Sequence, residues 1–118
     1  MARAGWHIKE EAGVLTLSRR LPARFDFCAK AGFAPVRSRR RLAMQIRQDM
    51  WRALRDLRGF APVVQVWAEG DGMQVAAGGS VAGAVAKGHC EARVAALLAD
   101  RDLRARWLAR AGKPQVQR

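Results

Sequence analysis

The sequence contains no asparagine and no tyrosine, and isoleucine occurs only at Ile8 and Ile46. With 18 arginines against 4 lysines, this is the composition that GC-rich coding favours, so the preference for Arg over Lys says little by itself about phosphate recognition. Cysteine is nearly missing too. Cys28 and Cys90 are too few for the disulfide framework of a small secreted domain, and both are expected to stay as thiols in a reducing cytosol. No stretch approaches the roughly 18 apolar residues of a membrane span, and no apolar segment follows the basic residues of the first ten positions. The chain is therefore expected to be cytoplasmic, with no membrane partner. Acidic residues are also scarce: 10 Asp and Glu stand against 22 Lys and Arg, a formal net charge of +12. Such an excess repels itself and is best tolerated when an anionic partner supplies counter-charge, most commonly nucleic acid.

What is present suffices for one hydrophobic core, because 118 residues of which 50% are apolar fall at the usual size of one domain. Trp6 to Lys9 and Val14 to Ser18 flank Glu10-Glu11-Ala12-Gly13, a hairpin in which Gly13 supplies positive φ. Pro22 can open a short helix ending at Gly32, with Phe25, Cys28 and Ala29 inward. Between Ser38 and Arg58 the residues Leu42, Ala43, Ile46, Met50, Ala53, Leu54 and Leu57 recur at spacings of three and four, which predicts an amphipathic helix with Ser38 as N-cap and Gly59 as stop. Val63 to Ala68 and Met73 to Ala77 flank Glu69-Gly70-Asp71-Gly72, and Asp-Gly suits a primed turn. Glu10-x-x-Gly13 and Glu69-x-x-Gly72 echo one another. After Gly78-Gly79-Ser80, read as a flexible connection, come two more helices, the second capped by Asp100 or Asp102 and ended by Gly112 and Pro114.

The expected fold is a single α+β domain over 1–113 with a frayed tail at 114–118. It has one antiparallel sheet of about four strands, from hairpins near 6–18 and 63–77. Helices near 22–31, 39–58, 84–99 and 101–111 pack on one face.

Plotted at 100° per residue, the central helix places Arg41, Gln45, Gln48, Arg52 and Arg55 on one stripe opposite its apolar face. No acid lies in the stripe. Asp49 and Asp56 sit at its edge, where they can pair with neighbouring Arg, while Arg40, Arg47 and Arg58 widen the positive side. Arg37-Ser38-Arg39-Arg40-Arg41 adds four arginines in five residues at a helix start, which itself favours an anion. Arg and Gln can each contact phosphate or bond bidentately to base edges. Arg37, Arg39, Arg40, Arg41, Gln45, Gln48, Arg52 and Arg55 are thus the candidate nucleic-acid-binding residues. The competing reading is a solvated face in an Arg-rich chain. Trp51 and Met44 fall at the boundary of the two faces, where packing is the favoured role for the Trp and a stacking platform for an unpaired base the alternative.

Other chemistries find little support. No glycines are spaced G-x-x-G, no aromatic-rich RNP1-like strand is present, and a helix-turn-helix would have to accommodate Pro35 in an overlong connection. His7, Cys28, His89 and Cys90 are too scattered for zinc, and no nucleophile, paired carboxylate or Walker-type phosphate loop is marked. The sequence therefore predicts a non-enzymatic protein without cofactor that binds DNA or RNA. A module docking to an acidic protein or a larger assembly is the alternative, with Trp6, Trp51, Trp67 or Trp107 as anchor, and an enzyme comes third.

Overall fold

The first hairpin forms as its turn residues dictate. In the computed structural model, which describes residues 5–113, β1 (His7–Glu11) pairs antiparallel with β2 (Val14–Ser18), Glu11 opposite Val14. The two-residue turn takes positive φ at both Ala12 (52°) and Gly13 (80°), the geometry whose twist matches the flanking strands. The second hairpin joins strands of nine residues each, Ala61–Glu69 and Gly72–Ser80. Glu69 is opposite Gly72, so Gly70 and Asp71 form the turn and Gly70, not Gly72, takes the positive φ of 58°. The two Glu-x-x-Gly echoes are consequently not equivalent, since Gly13 lies in a turn and Gly72 in a strand.

The segment expected to be a helix at 22–31 is instead a strand, β3 (Phe27–Phe33), and it raises the sheet to five strands. In the strand Phe27, Ala29, Ala31 and Phe33 alternate inward, all belonging to the core or packing against it. The long strands of the second hairpin are β4 (Ala61–Glu69) and β5 (Gly72–Ser80), and the fully antiparallel sheet has the order β1-β2-β4-β5-β3. Gly78-Gly79-Ser80 is no loop but the end of β5, with Gly78 opposite Cys28 and Gly79 opposite Phe27. Glycine is required there because a Cβ on Gly78 would collide with the Phe27 carbonyl oxygen, and one on Gly79 with that of Ala61.

The helix α1 (Arg39–Ala53) begins where Ser38 predicts, its Oγ accepting from Arg41 N at 3.1 Å. It ends earlier than Arg58. Leu54 N donates to Met50 O, Leu57 N to Leu54 O and Phe60 N to Leu57 O, successive turns that reverse the chain and deliver buried Phe60 to the core just before β4. Two further helices, α2 (Lys87–Ala99) and α3 (Arg101–Ala111), close the domain, and Asp100 caps α3 through Leu103 N at 3.0 Å. The helices cover one face of the sheet. There Leu15, Leu17, Val64, Val66 and Val75 meet Leu42, Ile46 and Met50 of α1, Val94 and Leu98 of α2, and Trp107 of α3 in one cluster. Burying each such side chain is worth about 1.5–3 kcal/mol. Among the described residues no helix is long and apolar enough to cross a membrane. The tail at 114–118 lies outside the described residues.

Candidate nucleic-acid interface

Strand register sorts the charges before any side chain is considered. Both hairpin turns lie at the same end of the sheet, because Val14 pairs with Trp67 and Glu69 with Gly72. Glu10, Glu11, Glu69 and Asp71 therefore gather at that end. The opposite end is formed by Trp6 before β1, Arg19 and Arg20 after β2, and Arg58, Gly59 and Phe60 before β4. Helix α1 connects the two: its start touches the first turn, where Arg39 Nη1 donates to Gly13 O at 3.5 Å, and Trp51 near its end stacks on Phe60.

The candidate residues predicted from sequence are thus strung along the molecule rather than joined in one patch. Arg37, Arg40 and Arg41 are exposed at the helix start. The backbone there is tied to the end of α3, Arg37 N donating to Gly112 O at 2.9 Å and Ser38 N to Ala111 O at 3.0 Å. Arg39 is half-buried against the turn, and Glu10 lines the same recess as Arg37, Arg39 and Arg40. In mid-helix Gln45 accepts from Arg110 at 3.3 Å, Gln48 is half-buried, and Arg52 pairs with Asp49 at 3.7 Å. Arg55 is exposed beyond the helix end.

That last residue belongs to a second arrangement. Trp6, Arg19, Arg20, Arg47, Trp51, Arg55, Arg58 and Phe60 line a groove of about 590 Å³ in which, among the described residues, none of the lining is acidic. The Arg47 guanidinium lies 4.4 Å from the Trp6 ring centroid, and that of Arg19 lies 5.4 Å from it. Attraction to the ring holds both cations although they repel one another. Arg47 Nε is buried and has no hydrogen-bond partner among the described residues. Burial first, and the neighbouring Arg19 charge second, push the Arg47 pKa down from its usual value. Trp51 is neither wholly core nor wholly surface: it remains 41% exposed while its ring stacks on Phe60, with centroids 6.1 Å apart and planes at 7°. Phe60 in turn stacks on Phe27 at 5.9 Å, a run of three rings from core to solvent.

Three carboxylates away from the hairpin turns have partners. Asp49, 11% exposed, accepts from Arg106 and from Trp107 Nε1 at 2.6 Å, which locks α1 to α3. Asp56 receives both Arg93 nitrogens at 2.8 and 3.0 Å, and those hydrogen bonds hold its carboxyl below the usual range. Asp26 accepts from Val81 N at 3.0 Å and from Arg24, the backbone bond being the stronger cause of its lowered pKa. Arg104 is likewise occupied, donating to Leu98 O and Gly32 O while covering the Phe33 ring at 3.9 Å.

Sequence reasoning found Arg55 and noted Arg47 and Arg58, but it missed the contribution of Trp6, Arg19, Arg20 and Phe60. One signal was available: a hairpin turning on Ala12-Gly13 pairs His7 with Ser18, which sets Trp6 beside Arg19. Among the described residues no three of His, Cys, Asp and Glu gather as metal ligands. The chain matches no family model, no curated protein and no solved structure.

Proposed function

We propose that this is a non-enzymatic cytoplasmic protein that binds nucleic acid, DNA or RNA, mainly through phosphate contacts from the arginines at the carboxyl end of α1, with those of the Ser38 loop contributing less. The observation that carries the reading is the groove at the carboxyl end of α1: Arg20, Arg55 and Arg58 are exposed there, no described lining residue is acidic, and Asp49 and Asp56 are already bound by Arg106 and Arg93, whereas Arg37, Arg40 and Arg41, also exposed, lie at the end that holds Glu10 and Glu11. Phosphate contacts position a protein on nucleic acid without reading sequence, and guanidinium groups suit them.

Binding across a salt series tests the reading. Neutralising phosphates releases counterions, so about three to five duplex contacts should give log affinity falling against log salt with a slope of roughly 3 to 4.5. Retention on DNA or RNA at low salt, lost along that slope, is the expected result. Retention on an acidic protein resin with none on nucleic acid would instead make the arginines a protein-docking face.

A further inference from the structure

We propose that the groove at the carboxyl end of α1 holds an unpaired nucleotide of a single strand, its base against Trp51 and its phosphate among Arg47, Arg55 and Arg58. The inference rests on the nucleic-acid reading and adds the strandedness of the ligand.

Three features of the groove lead there. Trp51 is one of only two large hydrophobic side chains that the described residues leave exposed, the other being Leu21. It is backed by Phe60 and Phe27, so its ring is held in place without being covered. A fixed, exposed aromatic ring is what a base can stack on, and stacking tolerates any base because each has a π face. Next, the Arg47 guanidinium lies in a groove with no acidic residue among the described ones that line it, so no carboxylate there supplies counter-charge, and phosphate is a charged acceptor that can. Finally, about 590 Å³ lies within the roughly 300–1,000 Å³ of small-ligand sites, room for a base and its phosphate. Bases within a duplex are already stacked on their neighbours, so Trp51 can engage only a base that has none. Double-stranded nucleic acid would be limited to the exposed arginines.

The test compares a labelled ten-nucleotide single strand, the matching duplex and a free mononucleotide, each titrated at low salt into the wild type, Trp51→Ala and Trp51→Phe, with fluorescence anisotropy and tryptophan quenching as readouts. Thermal unfolding checks that each variant folds. The expected result is tighter binding of the single strand than of the duplex, quenching on binding, and a loss of about 5- to 100-fold for the single strand in Trp51→Ala, with Trp51→Phe retaining most of the affinity. Duplex affinity should change little. Equal affinity for strand and duplex, unaffected in both variants, would overturn the single-strand site and leave phosphate binding by α1 standing. A mononucleotide bound as tightly as the strand would overturn it in favour of a free-nucleotide site. Failure of every nucleic acid to bind would remove the underlying reading together with the inference.

Discussion

The two ends of α1 carry similar numbers of arginines but differ in what surrounds them. At the amino end, four arginines crowd into five residues, yet Arg39 is drawn to the Gly13 carbonyl and Glu10 shares the recess. At the carboxyl end, arginines from three separate segments converge on two tryptophans with no acid among the described residues of the groove lining. Along a helix Arg40 and Trp51 are about 16 Å apart, twice the screening length of roughly 8 Å at physiological salt, so each end acts on its own surroundings. Density of charge along the chain is therefore a poor guide to the potential a ligand meets. What counts is whether local carboxylates have been used up, and that is decided by strand register at the turns and by helix packing at Asp49 and Asp56.

The largest effect on this comparison should come from Ile46, fully buried where α1 crosses the sheet, since both ends hang from that packing. Ile46→Ala is expected to lower stability by about 2–5 kcal/mol, read by urea denaturation, and to weaken both ends together. Next is Asp49, which joins α1 to Trp107 and Arg106 of α3. Asp49→Ala should cost about 2–4 kcal/mol by leaving the indole N–H and the guanidinium unpaired, and a far smaller loss would mean that the pair is not holding α3.

A subtler break is Arg93→Gln, which frees Asp56 beside Arg58 at the groove end. Because Asp56 has a lowered pKa in the folded protein, its stabilisation is present above the unfolded value near 4 and is lost as pH falls through the folded one. The urea midpoint of the wild type should drop more steeply than that of Arg93→Gln between about pH 5 and pH 2. Asp26 contributes with the same sign in both proteins. Identical acid limbs would show that the Asp56–Arg93 pair does not contribute.

Much of this architecture is legible in the residues. The first hairpin follows from Gly13 and the second from the turn residues Glu69 to Gly72, although the turn falls on Gly70-Asp71 and not on Asp71-Gly72, while α1 follows from the three-and-four spacing of Leu42, Ile46 and Met50 and α3 from the Asp100 cap. Strand β3 is not, because Cys28, Ala29, Ala31 and Gly32 are small residues that fit either period, and its identity depends on pairing with Gly78 and Gly79 some fifty residues away. Those glycines resemble a flexible loop until the close approach of the Phe27 carbonyl is seen. The arginine stripe of α1 could be read from helical geometry alone, whereas the groove could not, since Trp6, Arg19 and Phe60 reach it from other elements.

If the groove end outweighs the loop end in binding, two variants of equal charge will separate them directly. Arg20, Arg55 and Arg58 changed together to Gln, and Arg37, Arg40 and Arg41 changed likewise, each remove three exposed charges and should alter stability by about 1 kcal/mol or less. Single-strand affinity across a salt series is the measurement. The groove variant should lose up to about two units of salt slope, at roughly 0.7 per contact, and the loop variant less than half of that. A loop variant that loses as much as the groove variant, or a groove variant whose affinity and slope are unchanged, would contradict the greater weight of the groove end.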